Sequence, residues 1–198
     1  MSLDRYRRKR DFGGTPEPRG RKGRSGSKPA FVIQQHDARA MHFDFRLEVE
    51  GVLKSWAVPK GPSTDPKVRR LALPTEDHPL EYAGFEGVIP EHHYGAGAVI
   101  VWDRGTYRNL TRNAAGGLKD ALTAIRDGHF LFELNGEKLK GRYLLQRAGE
   151  LHMRRWFLIK ARDEKANDRR ELVTTRRKSV LSGKTVDEIG RKKSPRAS

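Results

Sequence analysis

The sequence predicts a mainly β domain, built as an antiparallel barrel or sandwich. Three observations carry that prediction. Short apolar or alternating runs recur through the middle of the chain, bounded by Gly, Pro, Asn or Asp. One of them alternates strictly: His42, Asp44 and Arg46 fall on one parity, Phe43, Phe45 and Leu47 on the other. A single stretch, 118–128, has apolar residues at helical spacing (Leu118, Ala121, Leu122, Ile125), with Gly128 as its stop. Many short strands and one clear helix are the signature of closed or layered sheets.

Taken in order, residues 1–12 mix Arg, Lys, Leu and Phe and suit a short helix or arm, and 13–30 have linker composition, with Gly13-Gly14-Thr15-Pro16 and Gly23-Arg24-Ser25-Gly26. Strands are expected at about 30–36, 41–49 and 52–58, the last two joined as a hairpin by Glu50-Gly51. Pro59-Lys60-Gly61-Pro62 ends that run as a loop. Residues 69–74 form a short strand candidate, and 75–97 are dense in turn residues. Val99-Ile100-Val101-Trp102 reads as a buried strand ended by Asp103-Arg104-Gly105, with Thr106-Tyr107-Arg108 pairing back on it. Strands at 129–134, 141–146 and 156–160 follow, and from Asp163 the chain is mostly polar, with 180–189 docking weakly at most. The expected organisation is a basic N-terminal arm over 1–30, a barrel domain over 31–163 and a flexible basic tail over 164–198.

The net charge of +16 is concentrated in the ends: 1–30 hold ten basic against three acidic residues, and 164–198 hold eleven against five. Basic ends attract polyphosphate backbones, so nucleic acid is the expected partner. There is no cysteine, which excludes disulfides and thiolate metal sites and suits a reducing compartment. No apolar run approaches the ~20 residues of a membrane-spanning helix, and the first residues have no apolar signal segment. A cytoplasmic, nucleoid-associated protein with no membrane partner is expected.

The alternating strand carries the chemistry. Residues i and i+2 of a strand share a face, so His42 and Asp44 can converge on one divalent ion. His36, across a bend at 37–39, is the candidate third ligand, and Mn²⁺, Zn²⁺ and Mg²⁺ all suit such a set. The same pattern fits an amphipathic strand with a solvated polar face, and spacing alone leaves both readings open. Arg46 continues the polar face, and Lys60, Arg69 and Arg70 are further candidate anion contacts. A metal with an Arg/Lys clamp is what a phosphoryl transition state requires. His78, in Glu76-Asp77-His78-Pro79 with Tyr82 four residues on, suits a general acid or a hydrogen-bond donor to a phosphoryl oxygen. His92 and His93 stand on a Gly-flanked loop, and His129 and His152 look structural or superficial. No phosphate-binding Walker loop, nucleophile elbow or cysteine nucleophile is present.

Several motifs resemble a known family. His36-Asp37-Ala38-Arg39 with His42 to Arg46, Leu53 to Pro62, Asp77 to Tyr82 and Phe85 to Pro90 resemble, in order, the 3′-phosphoesterase module of bacterial DNA ligase D. Arg10-Asp11-Phe12 with Thr15 to Pro18 resembles that family's N-terminal arm, and Gly136 to Gly141 and Trp156 to Lys160 its C-terminal strands, so the likeness covers roughly 5–163. The resemblance implies a compact antiparallel β-barrel with one or two short helices and a polar, crescent-shaped active-site groove. It implies a manganese-dependent enzyme (Zn²⁺, Co²⁺ or Mg²⁺ being the other candidates) that heals 3′ ends of DNA or RNA–DNA primer–templates. A phosphodiesterase step removes a 3′-terminal ribonucleoside, and a phosphomonoesterase step removes the remaining 3′-phosphate to leave a 3′-OH. On this likeness His36, His42 and Asp44 are metal ligands. Arg46, His78 and Tyr82 contact phosphate and the transition state. Gln34, Lys60 and Arg70 are supporting phosphate contacts, and Arg10, Asp11 and Glu17 belong to the arm and serve the diesterase step. Ligase, polymerase and Ku-type end-joining proteins are the implied partners of a monomer. The segment Pro90-Glu91-His92-His93-Tyr94-Gly95 departs from the family's Pro-Glu-Gly-x-Tyr-Gly, with His92 in place of a small residue. Two other classes fit parts of the pattern. A non-haem iron oxygenase also uses His-x-Asp, but needs a distal His such as His129; a non-catalytic nucleic-acid-binding module would use the basic residues alone.

Overall fold

Period-two alternation on successive hairpins closes the sheet on itself. The computed structural model describes residues 3–21, 23, 28–149, 155–169 and 171–191; the expected loop at 24–27 and His152 lie outside them. Nine strands run as β1 (Ala30–Asp37), β2 (Met41–Val49), β3 (Val52–Val58), β4 (Arg69–Pro74), β5 (Gly87–Ile89), β6 (Gly97–Asn109), β7 (His129–Gly136), β8 (Lys140–Arg147) and β9 (Trp156–Lys160). Their order is β1-β2-β3-β4-β9-β8-β7-β6, and β6 pairs back with β1, so eight antiparallel strands form a closed barrel while β5 adds to one end of β6. The short helices are α1 (Asp4–Arg8), α2 (Ala121–Asp127), α3 (Leu172–Thr175) and α4 (Val186–Gly190), with a 3₁₀ turn at Leu80–Gly84.

The odd-numbered residues of β1 and β2 fill the barrel. Phe31, Ile33, Phe43, Phe45 and Leu47 meet Trp56, Trp102, Phe130, Phe132 and Tyr143 in one apolar cluster, with Phe45 and Phe132 stacked at 5.8 Å. The even-numbered residues therefore face outward, and that face of β1–β3 is covered rather than solvated. The 3₁₀ turn, β5 and the N-terminal arm close over it through a second cluster that includes Tyr6, Val32, Leu53, Tyr82 and Val101. The arm returns across the β2–β3 hairpin at Gly51, where Gly23 N–H donates to Gly51 O at 2.9 Å. A Cβ at Gly51 would stand 2.0 Å from Gly23 O, and φ of +78° also requires glycine there.

Two expectations are corrected. The predicted break at 103–105 is absent, because β6 is one thirteen-residue strand. A bulge between Ile33 and Gln34 of β1 absorbs the irregularity, skipping Trp102 so that its ring enters the core. The tail expected to be flexible over 164–198 is docked over 171–191. Trp102 Nε1 donates to Arg176 O, Val180 N–H to Val101 O, and Val186 packs on Ala98 and Ile100. Apolar residues within a basic segment supply that docking, and a Thr185/Glu188 capping box fixes α4.

Candidate active site

Antiparallel register assembles the polar face. His36 lies directly opposite His42, Gln34 opposite Asp44, Arg46 opposite Ser55 and Asp44 opposite Ala57. Directly opposed side chains are near neighbours, so His36 needs no bend to reach His42; the ring centroids are 4.8 Å apart. One ligand atom from each of His36, His42 and Asp44 lies within 4.8 Å of the others, a group that can hold a metal ion.

The proton positions support that use. His36 Nε2 is 2.8 Å from Gly95 O, and His42 Nδ1 is 2.9 Å from Ala40 O. A carbonyl only accepts, so in the neutral tautomers each of these nitrogens carries the proton. The other nitrogens, His36 Nδ1 and His42 Nε2, then turn lone pairs toward Asp44 Oδ2 at 3.6 and 3.7 Å. Three acceptors converging without an intervening proton is the arrangement a cation satisfies, and backbone carbonyls fixing the far ring nitrogens are its usual support. Burial raises the Asp44 carboxyl, but the Arg46 guanidinium beside it is the largest opposing influence, and the carboxyl is held well below the usual carboxylate range.

Arg46 is buried and held on every side. It reaches Asp44 Oδ2 at 3.0 Å and donates to Gln34 Oε1 at 2.8 Å and Ser55 Oγ at 2.9 Å; its Nη1 is 2.9 Å from His78 Nδ1. Burial, followed by the positive charges of Arg46 and Arg10, pushes the His78 imidazole well below its ordinary pKa, so it is neutral here. His78 as found is therefore not a charged general acid. Its Nε2 faces Arg10 Nη2 at 3.3 Å. Arg10 in turn donates to Glu17 at 2.8 Å and to Glu76 at 3.1 Å, both buried, and Tyr82 donates its hydroxyl to Glu17 at 2.9 Å. Burial and the Glu17 carboxylate raise the Tyr82 phenol far above its usual value, so it stays protonated. Lys9 links the arm to the opposite wall, reaching Glu76 and the Tyr94 hydroxyl.

These groups enclose a pocket of about 150 Å³ lined by the His36–His42–Asp44 group, Arg46, His78 and Thr75 among others. Thr75 Oγ1 is buried on this wall with no hydrogen-bond partner among the described residues.

Several expected site residues stand elsewhere. Gln34 is fully buried and spent on protein: its amide donates to Tyr82 O and Phe85 O, and its oxygen receives Arg46. In this arrangement it contacts Arg46 rather than a substrate. Lys60 is exposed on the turn after β3. Arg70 shares the parity of core residue Ala72 and pairs with Glu171 in the docked tail. Neither lines the pocket. Asp11 is exposed and accepts the Gly13 N–H. His129 stands exposed at the start of β7 with Nδ1 2.7 Å from Gln146 Oε1, and among the described residues the group with His42 and Asp44 is completed by His36 rather than by His129. Ser55, Thr75, Glu76, Lys9 and Tyr94 were not anticipated. Ser55 alone had a readable signal: counting pairs outward from the Glu50-Gly51 turn places it opposite Arg46.

The family described as the DNA ligase D 3′-phosphoesterase domain matches residues 34–147. The multifunctional non-homologous end joining protein LigD of Pseudomonas aeruginosa is 51% identical over 189 residues, covering 93% of this chain and 22% of the relative. The multifunctional non-homologous end joining DNA repair protein LigD of Mycobacterium tuberculosis is 47% identical over 165 residues, 82% of this chain and 20% of the relative. That of Mycolicibacterium smegmatis is 41% identical over 167 residues. The chain thus spans about a fifth of the length of these relatives.

Proposed function

This chain belongs to the DNA ligase D 3′-phosphoesterase domain family, and from that premise we propose that it is a divalent-metal-dependent phosphoesterase acting on the 3′ ends of nucleic-acid strands. It removes a 3′-terminal ribonucleoside in a diesterase step and a 3′-phosphate in a monoesterase step, leaving the 3′-OH that end joining requires. The observation that carries this reading is the convergence of three acceptors from His36, His42 and Asp44 beside a fully anchored Arg46.

His36, His42 and Asp44 would offer a divalent ion such as Mn²⁺ or Zn²⁺ two imidazoles and a carboxylate, a mixed nitrogen and oxygen set. Bound there, the ion supplies Lewis-acid polarisation of a phosphoryl oxygen and a water of lowered pKa. Arg46, oriented by Gln34 and Ser55, would offer that oxygen the Nη2 hydrogen that it does not give to Asp44. Neutral His78 has one acceptor nitrogen: its Nδ1, 2.9 Å from Glu76 O, carries the proton, so Nε2 accepts from Arg10 and the contact with Arg46 is one of packing. Arg10, kept in place by Glu17 and Glu76, contributes the arm's positive charge to the pocket, which is why residues 1–30 count as part of the site. Tyr82, protonated, shares Glu17 with Arg10.

We place the protein in the cytoplasm at the nucleoid, as a monomer cooperating with ligase, polymerase and Ku-type end-joining proteins. The absence, among the described residues, of a helix long and apolar enough to cross a membrane accords with this. The test is a labelled primer–template ending in one 3′-ribonucleotide, incubated with and without Mn²⁺. Stepwise appearance of 3′-phosphate and then 3′-OH ends is expected. No product with Mn²⁺, Mg²⁺, Zn²⁺ or Co²⁺ refutes the reading.

A further inference from the structure

The arm encloses a second cavity, of about 550 Å³, that meets the catalytic pocket at Arg10, which lines both. Arg7, Arg19 and Arg21 add three more guanidiniums to its walls, Phe12 an aromatic ring and Gly13 a stretch of bare backbone. Its one lining carboxylate, Asp11, already accepts the Gly13 N–H at 3.0 Å. The cations are placed rather than loose. Arg7 donates to Gly20 O at 3.0 Å, and the Arg19 guanidinium lies 5.4 Å from the centre of the Phe12 ring. Arg21 is fixed through its main chain, whose N–H donates to Glu81 at 3.4 Å.

Three guanidiniums around an open cavity, those of Arg7, Arg19 and Arg21, call for a polyanion, Arg10 at the shared wall being committed to Glu17 and Glu76. Phe12 beside Arg19 adds an aromatic ring edge that a base can meet. The shared Arg10 wall favours an extended ligand over a free anion, since one molecule can then occupy both cavities. Building on the phosphoesterase reading, we infer that this arm cavity is a strand subsite. It grips the phosphodiester backbone next to the end being processed, with Arg7, Arg19 and Arg21 on phosphate oxygens and Phe12 against a base. The arm thereby makes the enzyme prefer a strand terminus to a mononucleotide.

The experiment compares wild type, the Arg19→Ala/Arg21→Ala double variant and a charge-matched control, Arg108→Ala/Lys140→Ala, whose side chains are exposed on β6 and β8. Two substrates are used with Mn²⁺: a twelve-nucleotide strand with a 3′-phosphate, and a nucleoside 3′-phosphate. Binding of a fluorescent twelve-nucleotide strand with a 3′-OH is measured separately in EDTA across salt concentrations. The arm variant is expected to lower the strand-to-mononucleotide ratio of kcat/KM about tenfold, as loss of two solvent-exposed charge contacts with phosphate implies. Its slope of log affinity against log salt should shrink by about 1.4, two contacts at ~0.7 each. Arg19→Lys/Arg21→Lys should restore most of the salt slope, which also separates lost charge from a misfolded arm. An unchanged ratio, or an equal fall in the control, overturns the subsite in favour of overall charge alone. If wild type hydrolyses neither substrate, the phosphoesterase reading fails, and the binding series still judges the cavity.

Discussion

Replacing Gln34 by methionine separates a residue that positions from one that touches substrate. Gln34 has no exposed surface and three protein partners: it accepts from Arg46 and donates to Tyr82 O and Phe85 O. Methionine keeps the length of the side chain but leaves Arg46 Nε and Phe85 O without partners, while Tyr82 O keeps the Phe85 N–H. Each such group costs about 1–3 kcal/mol, and the added apolar burial returns about 1 kcal/mol. A net loss of about 1.6 kcal/mol follows at the mild end of that range, taking ~1.3 kcal/mol per group. For a chain of this length that lowers Tm by roughly 3–6 °C. Arg46 retains Asp44, Ser55 and His78, so it tilts rather than detaches. We expect kcat/KM for both ester steps to fall about tenfold, equivalent to ~1.4 kcal/mol of transition-state stabilisation. Thermal unfolding by circular dichroism and phosphate release on a 3′-phosphorylated strand read the two effects. A Tm within about 2 °C of wild type, less than 1 kcal/mol of loss on the same scale, together with a large fall in rate, refutes the reasoning and returns Gln34 to direct substrate contact.

Four further outcomes are expected. His42→Ala and Asp44→Ala each abolish phosphate release and Mn²⁺ binding by calorimetry; retained stoichiometric binding in either rejects the ligand set. Arg10→Ala leaves buried Glu17 without its charge partner, while Glu76 keeps Lys9, destabilising by about 3 kcal/mol, and impairs the diesterase step more than the monoesterase step; equal losses in time courses of both products contradict the role given to the arm. Because the folded-state pKa of His78 is depressed, the unfolded chain binds a proton that the folded chain refuses once pH drops through about 6.5. Stability therefore falls on acidification through that window, and less so in His78→Gln; parallel urea midpoints in the two proteins between about pH 7.5 and 5, spanning the free-histidine pKa, count against it. His92 holds φ of +69°, so His92→Gly relieves up to about 1 kcal/mol of left-handed strain, and a lower Tm in that variant argues that the His92 ring supports the loop.

What the sequence showed of the site followed from local geometry. Parity along one strand is a property of five consecutive residues, so His42, Asp44 and Arg46 were legible together. A tight hairpin extends that legibility across one strand pair, and Ser55 was within reach by counting from Gly51. Beyond one hairpin the signal ends. Thr75 and Glu76 arrive from the segment after β4, and Lys9, Arg10 and Glu17 from an arm whose contacts are 65 to 68 residues distant in the chain at Glu76, His78 and Tyr82. Arg70 shows the complementary limit: a basic residue before a strand looks like an anion contact, and only the parity of Ala72 shows that it stands on the other face of β4, beside Glu171. The strands themselves were found because their apolar faces are local patterns, whereas the bulge that lets β6 run unbroken is set by its neighbour β1.

The charges of the site bear on why a metal and a phosphate belong in it together. Lys9, Arg10 and Arg46 are matched by Glu17, Asp44 and Glu76, linked in ion pairs at 2.8 to 3.1 Å. His78 and Tyr82 are held neutral. The protein groups thus sum to no net charge, and the three arginine and lysine side chains are already committed. An anion entering such a pocket alone would have to compete with carboxylates for its donors and would lose its hydration in doing so. A divalent ion on His36, His42 and Asp44 leaves a surplus of two positive charges, equal and opposite to a phosphate monoester dianion. A diester, with one negative charge, leaves that surplus half used. The pocket's charge alone would therefore draw in a diester less strongly than a monoester. Arg7, Arg19 and Arg21, which line the adjoining arm cavity, would instead meet the other phosphates of the strand. On the proposed reading the monoesterase step would rest on the metal group and Arg46, while the diesterase step, whose substrate the pocket holds less tightly, would also draw on the arm.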